Sequence, residues 1–284
     1  MRRVAAAGRR AARSWCAGAP AALGAALAAA PAMPAAAAFE RAPLTAESEA
    51  MGGVLAVGAD AVWGNPAGAA LPESGSPVCL RAGTARPFDL SGVAESQLGL
   101  SVRPGGAAGG LGVRRFGTEL YAERELRIVA AAEAVPGVRL GAAARGLSAG
   151  GAFDPIRSFA LDLAFLARPD SATALGAVAE AVLGELPGDP RGDRRRTALG
   201  AARRLGRRAV LRVELQRQGG GPLAAALGFS WTPWRPLTLR AGAREDPRTL
   251  TWGFTVRRGG LSLSGSAAHA ALGRTVRVGL RVRR

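Results

Sequence analysis

The stretch Val276-Arg277-Val278-Gly279-Leu280-Arg281-Val282, near the end of the 284-residue chain, decides the fold. Valine or leucine fills every second position, and arginine or glycine fills the positions between them. Because successive side chains of a β-strand point to opposite faces, this period of two predicts a strand with one apolar face and one basic face.

The same alternation continues upstream, in the stretches 250–257, 237–244 and 159–166. A soluble β-sandwich and a membrane barrel both produce such a pattern, since the strands of each have one apolar face. The alternation therefore establishes strands and leaves these two fold classes open.

The lengths of the connections favour a barrel. From Val78 onward the sequence predicts fourteen strands, at 77–84, 96–104, 109–117, 123–134, 137–147, 157–168, 172–184, 195–205, 207–217, 222–233, 236–244, 250–257, 260–268 and 274–282. Connections after even-numbered strands are mostly tight and those after odd-numbered strands mostly longer, as in bacterial barrels, and the strand lengths suit the roughly 9–11 residues of a tilted crossing. We therefore predict an all-β fold, a closed antiparallel transmembrane β-barrel of about 14 strands over 77–284. Only the alanine-rich stretch 172–184 could form a helix in isolation.

The first 38 residues have the features of a secretory signal peptide. Five arginines and no acidic residue lie within 2–13, an apolar stretch follows at 21–30, and Ala36-Ala37-Ala38 offers a small-residue cleavage site. We expect cleavage after Ala38 and export to the cell outer membrane of a Gram-negative bacterium. Only Cys79 then remains, which excludes an internal disulfide.

Residues 39–76 do not alternate, and we predict that they form an N-terminal plug segment inside the barrel. Pro66 biases Asn65 away from helical backbone, so any helix should end there. Outside the barrel, large side chains such as Trp63 would remain in water, at a cost of roughly 1.5–3 kcal/mol each. We expect the turn Asn65-Pro66-Ala67-Gly68 to pack against the inner wall and Asp60 to meet an inward arginine.

Charged side chains on the strands should point into the lumen, because a charge facing lipid costs roughly 2–4 kcal/mol at the bilayer midplane. The alternation places these candidates on inward faces: Arg81, Arg103, Arg139, Arg145, Asp162, Glu180, Arg212, Glu214, Arg240, Arg244, Arg277 and Arg281. Two roles are open for them. They could form an ion-pair lattice that holds the wall and the plug, or they could guide anionic or amphipathic solutes, whose carboxylates arginine binds bidentately.

The composition argues against several other functions. The formal charge of +17 is spread along the chain, whereas nucleic-acid binders concentrate charge on one face or tail, so no nucleic-acid partner is expected. The single histidine, His269, falls in the predicted last outer loop and has no metal or triad partner. The glycine runs 105–106 and 219–221 lack the setting of phosphate loops. We expect no enzyme, no cofactor and no metal site.

The motif Asn65-Pro66-Ala67-Gly68, after Met51-Gly52-Gly53 and Asp60-Ala61, resembles the N-terminal region of the FadL and PorV/PorQ families. The stretch 237–242 with Asp246-Pro247 is similar to the penultimate hairpin of short PorV-like proteins. The resemblance covers most of the mature chain. It implies an outer-membrane barrel of fourteen strands with an N-terminal segment inside it.

The two families imply different functions. Similarity to FadL implies passive passage of hydrophobic or amphipathic small molecules, and similarity to PorV or PorQ implies a secretion-associated adaptor or structural protein that conducts no solute. A soluble periplasmic β-sandwich or binding module is the third alternative. The expected partners are outer-membrane lipid, the outer-membrane assembly machinery, and either a hydrophobic small molecule or a secretion-system partner.

Overall fold

The computed structural model describes residues 44–58, 60, 62–70, 77–150, 156–184 and 195–284. The predicted signal peptide, 1–38, lies outside the described residues. No helix within the described part of the chain is long and apolar enough to cross a bilayer.

Fourteen antiparallel strands form one closed barrel, in which each strand pairs with its neighbours in sequence and the first closes against the last. The strands are β1 (Val78–Arg86), β2 (Ala94–Val102), β3 (Ala107–Gly117), β4 (Ala122–Val135), β5 (Val138–Gly150), β6 (Ile156–Ala167), β7 (Thr173–Gly184), β8 (Arg196–Leu205), β9 (Ala209–Gln218), β10 (Leu223–Trp234), β11 (Leu237–Arg244), β12 (Thr249–Arg258), β13 (Leu261–Ala270) and β14 (Gly273–Arg283). The predicted fold class is confirmed, and every strand starts and ends within three residues of its predicted bounds. The alanine-rich stretch forms β7.

Exposure alternates along the strands as the sequence predicts. In β14, Val278 and Leu280 are 47% and 42% exposed, whereas Arg277 and Arg281 are each 5% exposed. Leu239 and Trp252 also lie on the outer surface. Along the middle of the strands, apolar side chains thus cover the outside and charged side chains the inside, which is the arrangement of a wall that faces lipid.

The connections alternate in length only in part. We call the end where odd-numbered strands finish the loop end, and the other, which holds the start of β1 and the finish of β14, the turn end. Residues 87–93 make a long connection at the loop end, but 271–272 make a short one there. The prediction of a last outer loop holding His269 is therefore wrong. His269 pairs with Arg274 inside the β13–β14 hairpin, which closes tightly because Gly273 adopts a positive φ of 126°.

The β6–β7 pairing contains a bulge. The register shifts between Leu161 and Leu163, so that Asp162 faces extra residues of β7. The Ala181 N–H donates to the buried Asp162 carboxylate at 2.9 Å, and Ala181 has φ of 53°. The bulge leaves this amide without a strand partner, and the carboxylate supplies the acceptor.

The described part of the N-terminal segment contains helix α1 (Ala46–Glu49) and a 3₁₀ turn, Pro66–Ala70. Thr45 caps α1, because its hydroxyl accepts from the Ser48 N–H while the Ser48 hydroxyl accepts from the Thr45 N–H. Helix α1 contacts β12, β13 and β14, and the 3₁₀ turn contacts β3 to β6. The segment therefore touches the wall on opposite sides of the barrel.

Glycines on inward faces leave room for this segment. A Cβ atom at Gly112 would come within 2.8 Å of the Trp63 ring, and one at Gly228 would meet Met51. Val54, Ala56 and Ala67 pack with wall side chains such as Leu166 and Val178 in one buried apolar cluster. Burial of these groups stabilises the contact between segment and wall.

Candidate functional site

Ion pairs join helix α1 to the wall beside it. The Glu47 carboxylate lies 2.8 Å from the Arg281 guanidinium and 3.9 Å from that of Arg240. Glu49 lies 3.5 Å from Arg277 and accepts from the Ser266 hydroxyl at 2.7 Å. Glu47 and Glu49, which carry these charges in the predicted plug, were not among the charged residues that the sequence placed in the lumen.

The electrostatic setting of Glu47 changes its acidity. Burial raises the pKa of this carboxyl, but Arg281 and Arg240 outweigh that effect and lower the pKa to about 2. Glu47 therefore stays ionised, and stays attached to the wall, far below the normal range of a glutamate.

A second set of charges holds the middle of the segment. One oxygen of the buried Glu214 carboxylate accepts from the N–H groups of Leu55 and Ala56, both at 2.7 Å. Its other oxygen accepts from Arg196 at 2.7 Å, and Arg196 also pairs with Glu180 at 2.9 Å. A carboxylate that receives two amides and a guanidinium is fully satisfied, which buried charge requires.

A third set surrounds Asp162, which has no exposed surface. Arg127 and Arg145 each approach its carboxylate at 2.8 Å. Two cations around one anion, with the Ala181 amide as a further donor, fix the wall at the β7 bulge.

The Asn65-Pro66-Ala67-Gly68 turn contacts the wall without charges. The Asn65 amide nitrogen donates to the Ala56 carbonyl and, at 3.0 Å, to the Phe165 carbonyl of β6. Its oxygen accepts from the Ala67 N–H at 2.8 Å. A Cβ atom at Gly141 would meet the backbone of Pro66 and Ala67, so the turn lies directly against β5.

The other sequence candidates are placed as follows. Arg139 pairs with Glu133 at 3.2 Å, Arg81 with Asp60 at 3.3 Å, and Arg240 also donates to the Thr255 hydroxyl at 2.6 Å. Arg212 lies in β9 opposite Gly228, and Arg244 lies in β11 opposite Thr249. Arg103 is the exception, because β2 ends at Val102 and Arg103 begins the turn, where its N–H donates to the Pro77 carbonyl.

Sequence reasoning missed several charged residues of the lumen. Arg127 could have been found, since Leu126 and Ile128 flank it in a regular alternation. Arg196 gave no such signal, because it ends a run of three arginines, 194–196. Glu95 and Glu125 were also missed, although Arg114 lies 3.2 Å and 3.9 Å from them.

An open groove of about 730 Å³ lies on the outer face of β1 to β6 near the loop end. Two rows of outward residues line it, Ser96, Arg115, Arg124, Ser148 and Arg157 in one and Ala82, Leu98, Val113, Leu126 and Gly146 in the other. The side chains between the two rows point into the lumen. Among them Gln97 Oε1, Glu125 Oε1 and Ser158 Oγ are buried and have no hydrogen-bond partner among the described residues. The groove therefore faces the surroundings of the barrel and is separate from the lumen.

Comparisons with known proteins find likeness in fold alone. No family model and no curated protein sequence matches this chain. Among solved structures, the Pseudomonas putida toluene transporter TodX has a TM-score of 0.59 and 13% identity, over 87% of this chain and 98% of TodX. The CymD monoaromatic hydrocarbon channel has a TM-score of 0.63 and 14% identity, over 86% of this chain and 97% of CymD.

Proposed function

We propose that this protein is an outer-membrane channel for the passive passage of hydrophobic or amphipathic small molecules. The observation that carries the proposal is the closed barrel of fourteen strands with a segment against its inner wall, because the similar solved structures are channels. The apolar outer wall supports a membrane location, and the structurally similar TodX and CymD are hydrocarbon channels.

We propose that residues 39–76 act as the plug of this channel. The described part of the segment contacts β3 to β6 on one side and β12 to β14 on the other, so it crosses the lumen between them. A molecule that moves through the lumen from one end of the barrel to the other must pass this segment. Ion pairs and hydrogen bonds hold the segment to the wall, which makes it a barrier. No observation favours the secretion adaptor over the channel.

Uptake by cells tests the proposal. The full chain is produced in a Gram-negative host without its own hydrocarbon channels, and uptake of radiolabelled benzyl alcohol and toluene is measured. We expect faster uptake of both compounds than in cells without the protein. Leu147 lies on the same face of β5 as the buried Ala143 and Arg145, so Leu147→Trp adds bulk to the lumen and should reduce the gain. Ala144→Trp, on the outward face of the same strand, should keep it. Equal uptake by both variants, at matched amounts in the outer membrane, would refute a route through the lumen.

A further inference from the structure

Three arginines lie in one row on the outer surface of the barrel near the loop end. Arg115 of β3 is the direct partner of Arg124 of β4. Arg124 in turn is opposite Ser148 of β5, and Ser148 is opposite Arg157 of β6. Ser96 of β2 completes the row as the partner of Arg115. Five neighbouring strands thus present hydroxyl and guanidinium groups at one level.

The row faces outward and is exposed. Arg115, Arg124 and Arg157 alternate with inward residues such as Arg114 and Glu125, which form ion pairs in the lumen. Among the residues that the structure describes, the outward positions beside the row hold no carboxylate. The Arg115 guanidinium donates to the Thr118 carbonyl at 2.9 Å, which leaves most of its N–H groups free.

This arrangement is unfavourable without an anion. Like charges directly opposite each other on two strands repel, and the Cα atoms of opposed antiparallel residues are only about 4.5–5.5 Å apart. The row also lies close to the strand ends, two residues from the finish of β3 and two from the start of β4. Arginines at this height are at the polar boundary of the bilayer, where lipid phosphates lie.

An apolar surface begins directly below the row. Leu98, Val113, Leu126 and Phe159 are the next outward side chains on their strands, and they are 46%, 45%, 47% and 54% exposed. Val113 is opposite both Leu98 and Leu126, and Gly146 lies between Leu126 and Phe159, so these side chains form an apolar strip along the row. A basic row above an apolar strip is complementary to one molecule that has a phosphate head and hydrocarbon chains.

We propose that this row, Ser96, Arg115, Arg124, Ser148 and Arg157, is a binding site for a phosphorylated lipid of the leaflet at the loop end. The Arg115–Arg124 pair grips one phosphate bidentately, Arg157 and the two serines add further donors, and the acyl chains lie along the apolar strip. The anion removes the repulsion between the opposed arginines. The site lies on the outer wall and does not depend on transport through the lumen.

Native mass spectrometry of the full protein in a neutral detergent tests the site, with diphosphorylated lipid A as the probe. The triple variant Arg115→Gln, Arg124→Gln, Arg157→Gln should bind about 100-fold more weakly, because each basic residue at an anionic lipid surface contributes about fivefold. The control triple variant Arg203→Gln, Arg217→Gln, Arg258→Gln removes the same charge from outward positions that do not face one another. It should bind nearly as the natural protein does.

Two further probes separate the lipid from its headgroup. Enzymatically dephosphorylated lipid A should bind the natural protein as weakly as lipid A binds the first triple variant. Inorganic phosphate should fail to displace lipid A at equal concentration, since it makes no contact with the apolar strip. Equal loss of lipid A in both triple variants, or full displacement by inorganic phosphate, overturns the proposal. Heat-modifiable gel mobility shows that each variant has folded.

Discussion

Helix α1 and the Asn65–Gly68 turn contact opposite sides of the barrel through different chemistry. At α1, carboxylates of the segment meet guanidinium groups of β11 and β14, with separations from 2.8 Å to 3.9 Å. At the turn, the neutral Asn65 side-chain amide donates to the Phe165 carbonyl of the wall, and the backbone of the turn lies directly against Gly141. The first contact depends on pH and salt, whereas the second depends on shape, so the two ends of the segment should respond to different perturbations.

The largest expected effect is at the neutral contact. Asn65→Leu removes three hydrogen bonds of a side chain with no exposed surface and leaves the Phe165 carbonyl without its partner. We expect a loss of about 4 kcal/mol in the free energy that holds the turn to the wall. Hydrogen–deuterium exchange of the Ala67 amide measures it.

The matched control for Asn65→Leu is Gln97→Leu, which removes one hydrogen bond from the Gln97 amide to the Leu44 carbonyl. It should cost about 1 kcal/mol. Similar exchange of the Ala67 amide in both variants would show that Asn65 does not anchor the turn.

Acid should act on the charged contact and spare the neutral one. Glu47 has a pKa lowered from 4.5 to about 2, so its contribution is complete above pH 4.5 and is lost as the pH falls to 2. The expected loss in the free energy of holding α1 is about 3 kcal/mol. Measured by hydrogen exchange between pH 5 and pH 2, after correction for intrinsic rates, protection should fall at Glu49 and Ala50 and persist at Ala67.

Glu47→Gln is the control for the acid experiment. It should lower the protection of α1 at pH 5 and remove the part of the pH dependence that Glu47 supplies. If α1 in this variant keeps the pH dependence of the natural protein, another group controls the contact.

The smallest effect should come from the shape of the wall at the turn. Gly141→Ala adds a Cβ atom that meets the Pro66 and Ala67 backbone, and overpacking of this kind costs about 1–3 kcal/mol. Guanidinium unfolding in micelles measures the change. Gly146→Ala in the same strand, where a Cβ atom has open space, should leave the midpoint nearly unchanged. A tolerated Gly141→Ala would mean that the turn can move away from β5.

Alternation predicted the strands well because the outer face of the wall is apolar along the middle of the strands, where it meets the hydrocarbon of the membrane. The same rule predicted that Arg277 and Arg281 point inward, since the opposite placement is costly. The partners of these side chains could not be predicted. Arg196 joins Glu180 to Glu214 across neighbouring strands, and such contacts depend on register.

The bulge at Ala181 and the short 271–272 connection also escaped prediction. Both change the local pairing without changing the apolar pattern, so the sequence carried no alternation signal for them. Glu47 and Glu49 were missed for a related reason. They lie outside the strands, where no period assigns them a direction.

The inward glycines have an evolutionary consequence. The wall is complementary in shape to the segment at three glycines. Trp63 fills the space at Gly112, Ala67 that at Gly141, and Met51 that at Gly228. In an evolutionary descendant of this protein that lost the segment, larger residues could replace these glycines. In a descendant that kept the segment, they could not. Small residues at these three places in a related barrel would therefore mark the presence of such a segment, even where the segment's own sequence has diverged beyond recognition.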